Sequence, residues 1–359
     1  MKQGDAGAAS LLIDDEQAVE GPAGPIPARR RHSIRRTATI DMLWPDGRGG
    51  RMQLRGRARD LLTGEADAPP RVVGSASMEA SVRERVIESI TTDPSPAGIP
   101  KLVGERGGGH LRGVLAALVP DERKSESPLY LLLDDISGTS LIGGVVWTRW
   151  PEERRKLPTG GGPNMEGVCI GFRPGSSALT EISDWSGPPR VRPVADLLDP
   201  SDPHAWHELP AMPPMAARRA RFIDITVEGE TVHIEGGFQD SAGDPEHGRI
   251  GIHEYRIHAE ADLASGRLTR LTPVPHILPF RECPSAVATS QTLVGAPVAD
   301  LRDVVLERLA ATQGCTHLND ALRALAEVPA LVEALRKDAP SHSAGSSPLH
   351  SGSTQGQPA

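Results

Sequence analysis

Aromatic side chains are scarce: four Phe, two Tyr and five Trp in 359 residues. Large rings bury the most area per side chain, so the cores are expected to be small and aliphatic. Only three cysteines are present; an odd and low count excludes the disulfide framework of a small secreted domain. No stretch is read as approaching 18 apolar residues, so no membrane span is expected. The acidic start around Asp5, Asp14, Asp15 and Glu16 lacks the basic and then apolar order of a signal peptide, and the chain is expected to be cytoplasmic with no membrane partner. Basic excess is lacking as well. Thirty-nine Lys and Arg against 47 Asp and Glu leave a net charge of -8, which argues against nucleic acid as the main partner, because phosphate binding needs a basic surface.

Glycine and proline, in contrast, are abundant at 38 and 33. The length suggests about two domains joined by long loops. Residues 1–28 and 338–359 offer little apolar surface to bury and are expected to be disordered. Between 150 and 214 the prolines from Pro151 to Pro214 exclude long helices and central strands. Trp150, Trp185 and Trp206 lie there too, so the segment is read as an irregular connector packed across both domains.

The chain also repeats itself. Arg35, Arg36, Ile40 and Asp41 recur as Arg218, Arg219, Ile223 and Asp224. Leu54, Gly56 and Asp60 recur as Ile234, Gly236 and Asp240. Leu102-Val103-Gly104 with Leu111-Arg112 recurs as Leu293-Val294-Gly295 with Leu301-Arg302. Three matches in one order point to two diverged tandem copies, residues 29–149 and 215–337. The second copy reads as a hairpin from Arg221 around Glu228-Gly229, a half-buried strand over 252–261 that puts His253 and Tyr255 on the apolar face and Glu254 on the other, and a further strand near 267–272. Helices follow: Pro284 to about Val294, Val298 to Ala310, and one capped by Thr316 that continues through Leu335. Strands followed by helices give an α+β fold class, each copy a small antiparallel sheet backed by helices.

Chemistry concentrates in the second copy. Cys283 and Cys315 are both placed at helix starts, where the helix dipole lowers a thiol pKa. His317 lies two residues after Cys315, and His253 on its apolar strand face supplies a fourth donor. Two sulfurs and two nitrogens suit zinc or an iron–sulfur unit, with Asp320 as a reserve oxygen ligand. Two other readings stay open: packing cysteines, or a thiol enzyme or sulfur carrier with Cys315 as nucleophile and His317 as its base. A module with a pocket between the copies for a small molecule or another protein is a further alternative. The first copy, with neither Cys nor His over Ser127–Ser140, is read as having kept packing and lost chemistry.

The run Glu282-Cys283-Pro284, Leu293-Val294-Gly295, Leu301-Arg302 and Gly314-Cys315-Thr316-His317-Leu318 resembles an uncharacterised bacterial family, a domain of unknown function ending in Gly-Cys-Thr-His-Leu. That resemblance implies no reaction. The same half is more distantly similar to U-type iron–sulfur cluster scaffolds, with the first scaffold cysteine absent here and His247 or His253 nearest to its place.

Other motifs have plainer readings. Gly104–Gly113 lacks the Lys-Ser/Thr ending of a phosphate loop and reads as a turn before a helix. Asp134-Asp135 reads as a helix-start or turn pair. His204-x-x-His207-Glu208 meets neither zinc-protease order. Arg35 and Arg36, repeated as Arg218 and Arg219, read as structural, and Cys169 as a packing residue.

Overall fold

The computed structural model describes residues 21–65, 68–157, 164–180 and 190–338; Trp185 and residues 1–20 and 339–359 lie outside them, whereas residues 21–28, expected to be disordered, are ordered because Ile26 is buried and the Ala23 amide and Pro27 carbonyl bond Glu254 and Arg35. Within these residues the protein is α+β, built on one nine-stranded antiparallel sheet. Its strands are β1 (Ser33–Leu43), β2 (Met52–Thr63), β3 (Arg71–Arg83), β4 (Val86–Asp93), the short β5 (Arg192–Pro193), β6 (Ala217–Glu228), β7 (Thr231–Asp244), β8 (Gly248–Asp262) and β9 (Leu268–Ile277). The expected separate sheets are thus merged. Strand order is β4-β3-β2-β1-β6-β7-β8, with β9 and β5 both on β8. Each half is a four-stranded meander followed by helices, and the two meet where β1 pairs antiparallel with β6.

The repeated sequence matches fall on equivalent places. Arg36 is opposite Asp60 and Ile40 opposite Gly56, as Arg219 is opposite Asp240 and Ile223 opposite Gly236. Across the central seam Arg36 faces Ile223 and Ile40 faces Arg219. Register shifts follow both Asp60 and Asp240. Because side chains alternate along a strand, each Arg-Arg pair sends one guanidinium to either face.

On the outer face Arg35 grips Asp224, with Nε to Oδ1 at 2.6 Å, and Arg218 reciprocally grips Asp41, with Nη2 to Oδ2 at 2.7 Å. On the inner face Arg36 clamps Asp60 through two 2.6 Å bonds and reaches Glu327 at 2.7 Å. Arg219 clamps Asp240 at 2.9 and 3.0 Å and reaches Asp320 and Asp135 at 3.0 and 3.3 Å. Each half therefore neutralises an arginine of the other.

Helices cover the inner face. Pro128–Ile142 starts with Ser127 capping the Tyr130 amide and lies across β1, β2 and β3, while Val328–Asp338 lies over β1 and β6. Leu129, Leu131, Leu132 and Leu133 are buried in the core. Contrary to the sequence expectation, one helical run, Pro128–Arg149, is long and apolar enough to cross a membrane by length and composition; 78% of its most apolar window is buried inside the fold. Asp134 and Asp135 sit in the middle of that helix, not at its start. Both are buried, Asp134 between Arg302 and Arg323 at 2.9 and 2.7 Å and Asp135 on Arg221 at 2.6 Å. Pairing with cations is what permits carboxylates in such a place.

The helix expected from Pro284 to Val294 is broken into Cys283–Ser285, Ala286–Ser290 and Gln291–Leu293. Thr316 is the first helical residue of Thr316–Ala324, and Cys315 takes the capping position. On the outer face the connector brings Trp206 and Ala205 onto Phe222, Ala220 and Ile26. His207 is held there between the hydroxyls of Thr37 and Thr39, both at 2.9 Å.

Candidate functional site

Three elements of the C-terminal half meet at one corner of the inner face. β7 supplies Asp240 and β8 supplies His253, directly opposite each other in register; the first turn of Thr316–Ala324 supplies His317. Their ligand atoms all lie within 4.8 Å of one another. Asp240 Oδ2 is the shared vertex, 3.4 Å from His253 Nδ1 and 3.9 Å from His317 Nε2. The two imidazoles stack with centroids 3.4 Å apart and planes 15° from parallel. Asp240 is fully buried and His253 nearly so, while the His317 side chain keeps 18% of its surface exposed. Access to the corner is from the His317 side.

Electrostatics sets the protonation states. Burial alone would raise the Asp240 carboxyl, but the clamping Arg219 outweighs it and holds the group well below the usual carboxylate range. Burial pushes both imidazoles down, and His317 further because His253 is stacked on it. The corner thus holds a carboxylate and two neutral imidazoles, the forms in which these side chains bind metals. His253 Nδ1 is buried and makes no hydrogen bond of acceptable geometry, although a buried polar atom ordinarily has a partner.

The four donors expected from sequence do not converge on one point. His253 and His317 meet, joined by Asp240, while Cys283 and Cys315 fall outside that group. Both cysteines are buried beside Tyr255, two residues along β8 from His253, and Cys169 of the connector joins them. The Ile170 amide bonds Gly314 O at 2.9 Å, which fixes the connector against the cysteine that follows. Both predicted helix starts carry their cysteine, but the expected lowering of the thiols is reversed. Burial raises Cys315, raises Cys283 strongly and lifts Cys169 to about 11, because removing a thiolate from water costs more than a short helix start returns. Asp320 is occupied by Arg112 at 2.7 Å and Arg219 at 3.0 Å. Glu254 points to the other face, as the alternation requires, and accepts from Gln239.

Asp240 was visible in the sequence only as the last residue of a repeated Gly-x-x-x-Asp; the partnership of strand and helix that makes it a ligand was not. Cys169 carried no signal, since nothing in a proline-rich segment says where it returns. The counterpart corner in the N-terminal half lacks the site: Gly74 stands opposite Asp60 where His253 stands opposite Asp240. A Cβ at Gly74 would lie 2.9 Å from Asp60 Oδ2. No curated protein and no solved structure matches the chain. Residues 217–331, from the start of β6 into the last helix and so including Asp240, His253, Cys283, Cys315 and His317, match a family described as a protein of unknown function (DUF2889).

Proposed function

We propose that the protein is a metal-binding accessory protein whose C-terminal half holds a divalent first-row ion, zinc or ferrous iron, through Asp240, His253 and His317. The observation that carries this is the donor triangle. Ligands about 2.1 Å from a tetrahedral centre stand about 3.4 Å apart, and the two imidazole nitrogens lie 3.4 and 3.9 Å from Asp240 Oδ2. Two histidines and one carboxylate suit ferrous iron and zinc and leave coordination positions open for water or a small ligand. Arg219 bound to both oxygens of Asp240 fixes the carboxylate without using all its lone pairs.

We also infer that the two halves are diverged copies. The reciprocal Arg35–Asp224 and Arg218–Asp41 pairs, the equivalent Arg36–Asp60 and Arg219–Asp240 clamps and the shared meander order support this, and the copy with Gly74 has lost the donor set.

The test is titration of the metal-stripped full chain with zinc and, without oxygen, with ferrous iron, followed by calorimetry. At the Asp/His corner one ion per chain is expected to bind with a raised melting temperature, and His317→Ala should weaken that binding at least tenfold while folding normally, because His317 is partly exposed. Equal affinity in wild type and His317→Ala, or no binding by either ion, would overturn the proposal.

A further inference from the structure

All three cysteines of the chain come to one place, although they sit on three unrelated segments: the connector, the turn after β9 and the start of Thr316–Ala324. Convergence of Cys169, Cys283 and Cys315 is independent of the Asp/His corner. A Cβ added to Gly171 would lie 3.0 Å from Cys283 Sγ, 3.3 Å from the Phe280 ring and 3.8 Å from Cys169 Sγ, so both sulfurs border the space that the missing side chain leaves. The Ile170 amide, bonded to Gly314 O at 2.9 Å, holds Cys169 of the connector beside Cys315.

A second observation points to a ligand. The Tyr255 hydroxyl is fully buried and has no oxygen or nitrogen partner among the described residues; its polar neighbours are the thiols, Cys315 first. An unsatisfied buried hydroxyl costs about 1–3 kcal/mol. Packing alone does not explain a tyrosine where phenylalanine would fill the same space. A hydroxyl left without a partner beside sulfur is the kind of outer donor that metal-bound thiolates carry, and a bound cation supplies the charge that burial alone denies a thiolate.

We propose that Cys169, Cys283 and Cys315 form a second metal site, a trithiolate that takes a soft d10 cation and fastens the connector to the C-terminal half. Binding replaces three S–H bonds by three metal–sulfur bonds and releases three protons, with no change of oxidation state. Tyr255 then donates its hydroxyl to a thiolate sulfur. The three sulfurs do not all lie within 4.8 Å of one another as the Asp/His donors do, so binding an ion draws the thiols closer together. Thiolate softness selects monovalent copper, zinc or cadmium over ferrous iron or magnesium.

Cadmium is the probe, because its thiolate charge-transfer absorption reports sulfur ligands and not the Asp/His corner. Titration of the reduced, metal-free full chain with Cd2+ should produce that band, saturating at one sulfur-bound ion. X-ray absorption at the cadmium edge of the wild-type chain should show three Cd–S contacts, a readout that needs no variant. Cys169→Ser should abolish most of the band, whereas His317→Ala should leave it unchanged; the second result separates this site from the one at Asp240. No band, a cadmium shell of nitrogen and oxygen only, or a band that persists at full height in a folded Cys169→Ser would overturn the proposal. A band lost in His317→Ala would overturn it too, by showing one shared site.

Discussion

His207 shows how a single buried side chain couples this fold to pH. Both ring nitrogens are engaged by Thr37 and Thr39, and burial, reinforced by Arg59, Arg218 and Arg57, lowers its pKa from 6.5 to about 3. The folded protein keeps the ring neutral while the unfolded chain takes up a proton near pH 6.5, so stability is complete above that pH and is lost as pH falls toward 3. The limiting slope for one such group is about 1.4 kcal/mol per pH unit. His253 and His317 are shifted the same way and add to the loss. Denaturant unfolding of the metal-free protein at a series of pH values should show a shallower decline for His207→Gln than for wild type; identical slopes would show that the ring does not contribute.

At the scale of the element, the Pro128–Ile142 helix is shaped by what it must admit. Gly138 lies where the guanidinium of Arg219 comes against the helix, and a Cβ there would sit 2.0 Å from Nη1 and 2.7 Å from Cζ. Alanine would favour the helix by about 1 kcal/mol. That gain is smaller than the cost of the clash, because the guanidinium is fully buried and cannot swing aside without leaving Asp135 and Asp320. Overpacking costs about 1–3 kcal/mol, and breaking a buried ion pair about 3–5. Gly138→Ala should therefore destabilise the protein by at least about 2 kcal/mol in denaturant melts, and a neutral or stabilising result would mean that the contact yields.

For the whole molecule, the decisive feature is that the halves complete each other. The sheet is continuous through β1 and β6, and the buried charges cross the seam: Arg36 depends on Glu327, Arg219 and Arg221 on Asp135, and Arg302 and Arg323 on Asp134. Separation would expose two long strand edges and leave buried charges unpaired. Expressed alone, residues 21–157 and 190–338 should each lack a cooperative unfolding transition, and the two produced together should associate and regain one. An isolated C-terminal piece that melts cooperatively would show that the seam is not required.

The strands of the C-terminal half were legible in the sequence because their period-two alternation is a local property: His253, Tyr255 and Ile257 face inward and Glu254 outward whatever surrounds them. The recurring residue pattern was legible for a related reason, since Arg35-Arg36 and Arg218-Arg219 stand at the same spacing from Asp41 and Asp224 in both stretches. Local pattern also placed Cys283 and Cys315 at helix starts. It could not give their protonation, because a thiol pKa depends on how much water the finished core removes. Nor could it join Asp240 to the two histidines, bring Cys169 across more than a hundred residues to Cys283, or turn Asp134 and Asp135 into the hub of an arginine cluster. Those pairings depend on how strands, helices and connector meet in space, and only the tertiary structure decided them.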